Sequence, residues 1–161
     1  MALELRNLKG TSDFLPEEQK IRQEMIRTLQ DVFERYGYQP IETPTICYFD
    51  VLASKYSGGA EILKEVYKLN DQGKRELGLR YDLTIPFARL IGMNPNITMP
   101  FKRYEIGKVY RDGPVKTGRN REFIQCDVDM VGVKSIMAEA EFMMMTVEIY
   151  KKLGLDVYIS Y

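Results

Sequence analysis

The run from Arg121 to Met130 alternates in chemical type along its length. Successive side chains of an extended strand point to opposite faces. One face then holds Arg121, Phe123, Gln125, Asp127 and Asp129, and the other holds Glu122, Ile124, Cys126, Val128 and Met130. The second set is mostly apolar and is expected to face a core. The first is polar apart from one ring. The preceding β-like run ends on Arg111, near the same face, and the loop between them adds Lys116 and Arg119. Cations, a flat aromatic ring and two acids on one surface could hold a nucleotide and a cationic amine together. The same residues could equally be the solvated face of an antiparallel sheet, on which a Phe is a mild anomaly although single exposed apolar residues are common. The Met143–Met145 run is expected to be helix packing.

These residues need a hairpin to carry them and helices to back it. Met99–Arg111 and Arg121–Val131 are strand candidates joined by the polar loop 112–120. Upstream, 9–16 reads as turn and loop. Residues 17–36 follow with a stripe of Ile21, Met25, Leu29, Val32, Phe33 and Tyr36 at helical spacing. Pro16 suits the entry of that helix and Gly37 its end. Residues 38–46 are rich in β-formers but carry Pro40 and Pro44, which predicts an edge or interrupted strand. Tyr48–Lys55 reads as a short helix and Ser57–Ala60 as a flexible loop. Glu65–Asn70 and Glu76–Asp82 flank a Gly-containing loop and predict a hairpin. Leu83–Met93 and Ser135–Lys152 read as helices, the second opening on a Ser135 cap and ending at Gly154. Residues 156–161 are expected to form one more strand. Hairpins mixed with helices point to an α+β domain, an antiparallel sheet with flanking helices.

Bulk properties narrow the classes. The 161 residues are 45% hydrophobic and 29% charged, a globular balance with enough chain for a core. Twenty-three basic and 23 acidic residues cancel, so nothing marks the chain as a dedicated nucleic-acid binder. There is no histidine, which removes every mechanism that needs an imidazole base from this chain. Cys47 and Cys126 lack metal-ligand spacing, so no protein-held metal is expected, and they suggest no structural disulfide. No stretch has the length of apolar sequence that a membrane span requires, and the N-terminus has no apolar signal region. A cytoplasmic location is expected.

Tyr110-Arg111, the loop, and Arg119-Asn-Arg-Glu-Phe123 resemble motif 2 of the class II aminoacyl-tRNA synthetases. The continuation 121–129 is similar to the histidyl enzyme in particular, as are the segments 9–16, 64–67 and 79–84. The helix from Glu17 with the strand around Pro44 resembles motif 1. Several motifs in the family's order, over nearly the whole chain, are more specific than any one of them. The resemblance implies a class II synthetase catalytic fold over 1–161, with motif 1 at about 17–50 and motif 2 at about 104–130. It implies a histidine–tRNA ligase with histidine, ATP accompanied by Mg2+, and tRNA(His) as partners, and a homodimer built through motif 1.

By family position Arg111 is the catalytic residue, binding the α-phosphate and the histidine carboxylate. Asp82, Leu83, Thr84, Gln125 and Asp129 complete the histidine site, and Arg119, Arg121 and Phe123 join Arg111 at ATP. Two departures stand out. Motif 2 normally has an acid two places after its first arginine, contacting adenine. Here Gly113 occupies that place, so the contact is either lost or supplied by Asp112. Motif 3 and the anticodon-binding domain are absent, so the 161 residues alone are expected to be an incomplete, inactive fragment. Two alternatives remain at this stage: the regulatory, synthetase-like subunit of ATP phosphoribosyltransferase, and a non-catalytic dimerisation module.

Overall fold

The structure is a computed structural model that describes residues 3–54 and 60–160. The elements run α1 (Pro16–Arg35), β1 (Gln39–Pro40), β2 (Ile46–Tyr48), α2 (Phe49–Ala53), α3 (Ala60–Lys64), β3 (Lys68–Asn70), β4 (Glu76–Leu79), α4 (Thr84–Met93), β5 (Phe101–Tyr110), β6 (Glu122–Val131) and α5 (Met137–Lys152). The expected α+β architecture is observed.

Local chemistry explains the boundaries. Pro16 lies in the first turn of α1, where its missing N–H is no loss, and Glu17 and Glu18 face the positive end of the helix dipole. The helix stops where Gly37 turns to φ 81° and the Gly37 and Tyr38 N–H groups close on Glu34 and Phe33. Before α5, the Ser135 hydroxyl accepts from the Met137 N–H at 3.2 Å, the expected cap displaced to the start of the first turn. Between β3 and β4 the Asp71 carboxylate accepts from the Arg75 N–H at 2.9 Å and fastens the turn.

Among the described residues two three-stranded sheets form, in the orders β2-β4-β3 and β1-β5-β6. The first is antiparallel, with Ile46 opposite Leu79 and Lys68 opposite Gly78. In the second, β1 runs parallel to β5, with Gln39 opposite Arg103. That pair departs from a wholly antiparallel sheet. β1 is only two residues long because Pro40 has no N–H to extend the ladder.

The chain divides into two compact units. The first comprises Met1–Asp13, Glu42–Pro95 and Ile106–Asp127, and the second Phe14–Ile41, Asn96–Glu105 and Val128–Tyr161. In the first, Cys47, Leu52, Val66 and Ile85 form a buried cluster with Phe49, Val51 and Tyr81 packed on it. In the second, Val32, Phe33, Tyr38, Tyr104 and Met145 are buried, and the Phe33 and Tyr104 rings lie 5.3 Å apart. Lys102 Nζ donates to both oxygens of Glu141 at 2.7 and 2.9 Å, and the Tyr38 hydroxyl donates to the same carboxylate at 2.9 Å.

Three expectations need correction. The α1 stripe is buried only at Val32 and Phe33; Ile21 and Met25 are 62% and 45% exposed. The supposed core face of β6 is not a core: Cys126 is exposed and the other β6 residues are half-buried, because β6 is the edge of its sheet. Residues 156–160 form no strand. A β-prone run becomes a strand only where a neighbour offers hydrogen bonds. The flexible loop expected at Ser57–Ala60 lies, over 57–59, outside the described residues, and Ala60 opens α3.

Candidate active site

The first unit gathers most of the residues singled out above. Its frame is the hairpin of β5 and β6, held at the base by the Arg111 N–H donating to the Arg121 carbonyl at 2.8 Å. The loop tip is closed by paired backbone bonds between Lys116 and Arg119. Gly10 braces the other side. The Gly10 carbonyl accepts from the N–H groups of Arg121 and Glu122 at 2.8 and 3.2 Å. Gly10 has φ 87°, and a Cβ there would lie 2.8 Å from Val115 Cγ2, so both conformation and space require glycine.

A second support comes from Arg80. It is buried, its Nε donates to the Lys108 carbonyl at 2.7 Å, and its Nη1 donates to the Thr43 carbonyl at 2.7 Å. Its guanidinium lies against the bare Cα of Gly107. The Tyr110 N–H donates to the Arg80 carbonyl at 3.0 Å. The turn carrying Tyr81, Asp82 and Leu83 is thereby fastened to β5.

Arg111 sits at the centre of this arrangement. Its guanidinium carbon lies 4.4 Å from the centroid of Tyr81 and 4.8 Å from that of Phe123. Two rings with negative π faces hold the cation's orientation. Among the described residues its Nε is buried without a hydrogen-bond partner. A buried guanidinium N–H left unsatisfied is costly, and an incoming oxyanion would satisfy it. Gln125 shows the complementary feature. Its Nε2 donates to Asp127 at 2.8 Å, which bears out the shared face, while its Oε1 is buried and unpartnered among the described residues. That oxygen can accept from an amine.

Arg119 and Arg121 are engaged within the unit. Arg119 Nη2 donates to the Glu65 carboxylate at 3.1 and 3.2 Å. Arg121 pairs with Asp112 at 3.7 Å. The Tyr81 hydroxyl donates to Glu65 at 3.2 Å. Burial pushes the Tyr81 phenol up; Arg111 opposes this and Glu65 adds to it. Tyr67 is likewise raised by burial and by the negative charge of Asp112.

Asp82 is buried and its Oδ1 accepts from the Ile85 N–H at 3.0 Å, so it caps α4. Leu83 is fully buried. Thr84 is exposed and lines a cavity of about 630 Å³ with Asp50, Ser54, Ile85 and Ala88 among its walls. Asp129 lies in the second unit, where it forms an ion pair with the fully buried Arg103 and stays 39% exposed. Among the described residues no three acidic or thiol side chains converge as a metal site.

Tyr81, Glu65 and Arg80 were not singled out from sequence. They come from segments distant from the hairpin, and only the fold brings them to it. Their signal was membership of the 64–67 and 79–84 segments that carry the family resemblance, which suggests a neighbourhood but no role.

Comparison with known proteins places the whole chain. The family model described as histidyl-tRNA synthetase matches residues 10–160. Histidine–tRNA ligase 1 of Bacillus cereus is 62% identical over 159 residues, which is 99% of this chain and 37% of that protein. This chain thus spans little more than a third of the relative's length. Among solved structures, the histidyl-tRNA synthetase of Nostoc sp. is 31% identical with a TM-score of 0.79, over 92% of this chain and 34% of that one. The structure titled ATP phosphoribosyltransferase regulatory subunit/histidyl-tRNA synthetase, from Bacillus halodurans, is 27% identical with a TM-score of 0.84, over 97% of this chain and 40% of that one. With the α+β fold and a family match over 10–160 in agreement, the chain belongs to the histidyl-tRNA synthetase family and has the class II fold.

Proposed function

We propose that this chain supplies the ATP- and histidine-binding part of a histidine–tRNA ligase, and that the complete polypeptide makes histidyl-adenylate and passes the histidyl group to tRNA(His). The observation that carries the reading is Arg111, held between Tyr81 and Phe123 with a buried Nε that has no partner among the described residues.

A carboxylate oxygen of histidine attacks the α-phosphorus of ATP. The new O–P bond forms as the bond to the bridging oxygen breaks, and pyrophosphate leaves with that electron pair. The attacking carboxylate is already ionised at neutral pH, so no protein base is required. A chain with no histidine suits that chemistry. What remains is to position the reactants and stabilise charge at phosphorus. Arg111 does both, since its planar fork can bind the histidine carboxylate and an α-phosphate oxygen together.

Phe123 stacks on adenine, and Arg119 moves from Glu65 to the outer phosphates, with Arg121 supporting the loop beside them. Mg2+ arrives with ATP, which is a substrate here. Gln125 Oε1 receives the α-ammonium with Asp82, and Leu83 and Thr84 complete that wall. Residues 1–161 are part of the catalytic domain, with motif 1 at about 17–50 and motif 2 at about 104–130. The protein is cytoplasmic and homodimeric; among the described residues no helix is long and apolar enough to cross a membrane. Exposed Ile21 and Met25 on α1 supply apolar surface for a motif 1 interface.

The test is histidine-dependent exchange of pyrophosphate into ATP by the complete polypeptide. Exchange is expected in the wild type and its loss in Arg111→Ala. Near-normal exchange in that variant would contradict the assignment. A regulatory subunit of ATP phosphoribosyltransferase, the alternative raised from sequence, is not favoured by the relatives matched, which are histidine–tRNA ligases. Adenylate formation separates the two, because that role does not require it.

A further inference from the structure

Glu65 explains how this site manages with glycine at the position of the motif 2 acid. Its carboxylate carbon and Oε1 each lie 3.0 Å from where a Cβ of Gly113 would be. The carboxylate therefore fills the space into which an acidic side chain at 113 would grow. Its backbone is tied to the same spot, since the Asp112 N–H donates to the Glu65 carbonyl at 2.7 Å. Asp112, the other candidate, is turned to Arg121 and is 47% exposed. Glu65 is only 22% exposed and touches the nucleotide wall on two sides: its carboxylate accepts from Tyr81, which backs Arg111, and from Arg119.

We infer that Glu65 is the residue that recognises the base of the nucleotide, supplying from α3's C-terminal side the carboxylate that motif 2 lacks at Gly113. The inference rests on the ATP-binding reading above. Without nucleotide, Arg119 occupies the Glu65 carboxylate. The pair is half-exposed and weak, so a triphosphate draws Arg119 away and frees the carboxylate. An ionised carboxylate only accepts hydrogen bonds. It can accept from the 6-amino group of adenine and repels the 6-carbonyl oxygen of guanine or hypoxanthine. Glu65 is thus a specificity residue for the base.

The experiment compares kcat/KM for ATP and for purine riboside triphosphate, which lacks the 6-amino group, in histidine-dependent adenylate formation by the complete polypeptide. The wild type is expected to prefer ATP by about tenfold or more, the effect of one hydrogen bond to a charged acceptor. Glu65→Ala should bring the ratio to within about twofold of one. Glu65→Ala with Gly113→Asp, which returns an acid to the vacated space, should restore the preference. Arg119→Ala should weaken both nucleotides and leave the ratio unchanged.

An unchanged ratio in Glu65→Ala would overturn the inference, and so would failure of Gly113→Asp to restore it. A folding defect alone would depress both nucleotides together and could not be rescued selectively for ATP. If the wild type formed no adenylate, or Arg111→Ala were fully active, the ATP-binding reading itself would fall instead.

Discussion

Replacing Arg111 by lysine keeps the positive charge and removes the plane, which isolates what the Tyr81–Phe123 sandwich contributes. The guanidinium loses two ring contacts, at 4.4 and 4.8 Å. At partly exposed sites each is worth about 0.5–1 kcal/mol. The fork that can bind carboxylate and phosphate together becomes a point charge, and one charge-assisted hydrogen bond lost to the reacting phosphate costs about 1.5–3 kcal/mol. Most of that loss falls on the transition state, where charge builds on the phosphate oxygens. The expected sum of roughly 3 kcal/mol corresponds to a fall of about a hundredfold in kcat/KM. Pyrophosphate exchange at varied ATP and histidine measures it, with thermal unfolding run alongside to exclude a folding loss. Arg111→Lys within about threefold of wild type would show that neither the planarity nor the stacking matters, and the reasoning would be wrong.

Three other outcomes are expected. Gly107→Ala should destabilise the first unit by about 1–3 kcal/mol in urea unfolding, because its methyl collides with the buried guanidinium of Arg80; an unchanged midpoint would refute the role given to that contact. Burial and hydrogen bonds to glutamates raise the phenols of Tyr36, Tyr38 and Tyr104, that of Tyr104 to about 12. Raised folded-state values mean stability that is intact below the ordinary tyrosine range near ~10 and lost as pH climbs through the folded values; part of the tyrosinate absorbance, that of these phenols, should therefore appear only with unfolding of the second unit, and titration of all tyrosines in the folded state would contradict this. Finally, Ile21→Lys on the exposed face of α1 should weaken self-association in sedimentation, whereas an unaffected dimer would move the interface away from motif 1.

The hairpin was legible because a strand states its faces in its own alternation. Gln125 and Asp127 do meet on one side, as period-two spacing requires. The helices were legible from Pro16, Gly37 and Gly154, which mark ends by local conformation. Burial was less so. Ile21, Met25 and Cys126 have apolar or semi-apolar side chains at core-like spacing, yet they are exposed. Periodicity says which residues share a face, not whether anything covers it. The supports of the site were also hidden. Tyr81 and Glu65 lie far from Arg111 in sequence, and their roles come from the contacts of the folded chain. The motif order supplied what alternation could not, turning an ambiguous polar strand face into an expected nucleotide and amine platform.

A crystal structure of the complete polypeptide with a non-hydrolysable histidyl-adenylate analogue tests that platform most directly. The account predicts the phosphate mimic on the Arg111 guanidinium, adenine against the Phe123 ring, and the α-ammonium at Gln125 Oε1. An analogue bound elsewhere, with Arg111 still closed between Tyr81 and Phe123 and touching no ligand, would contradict it.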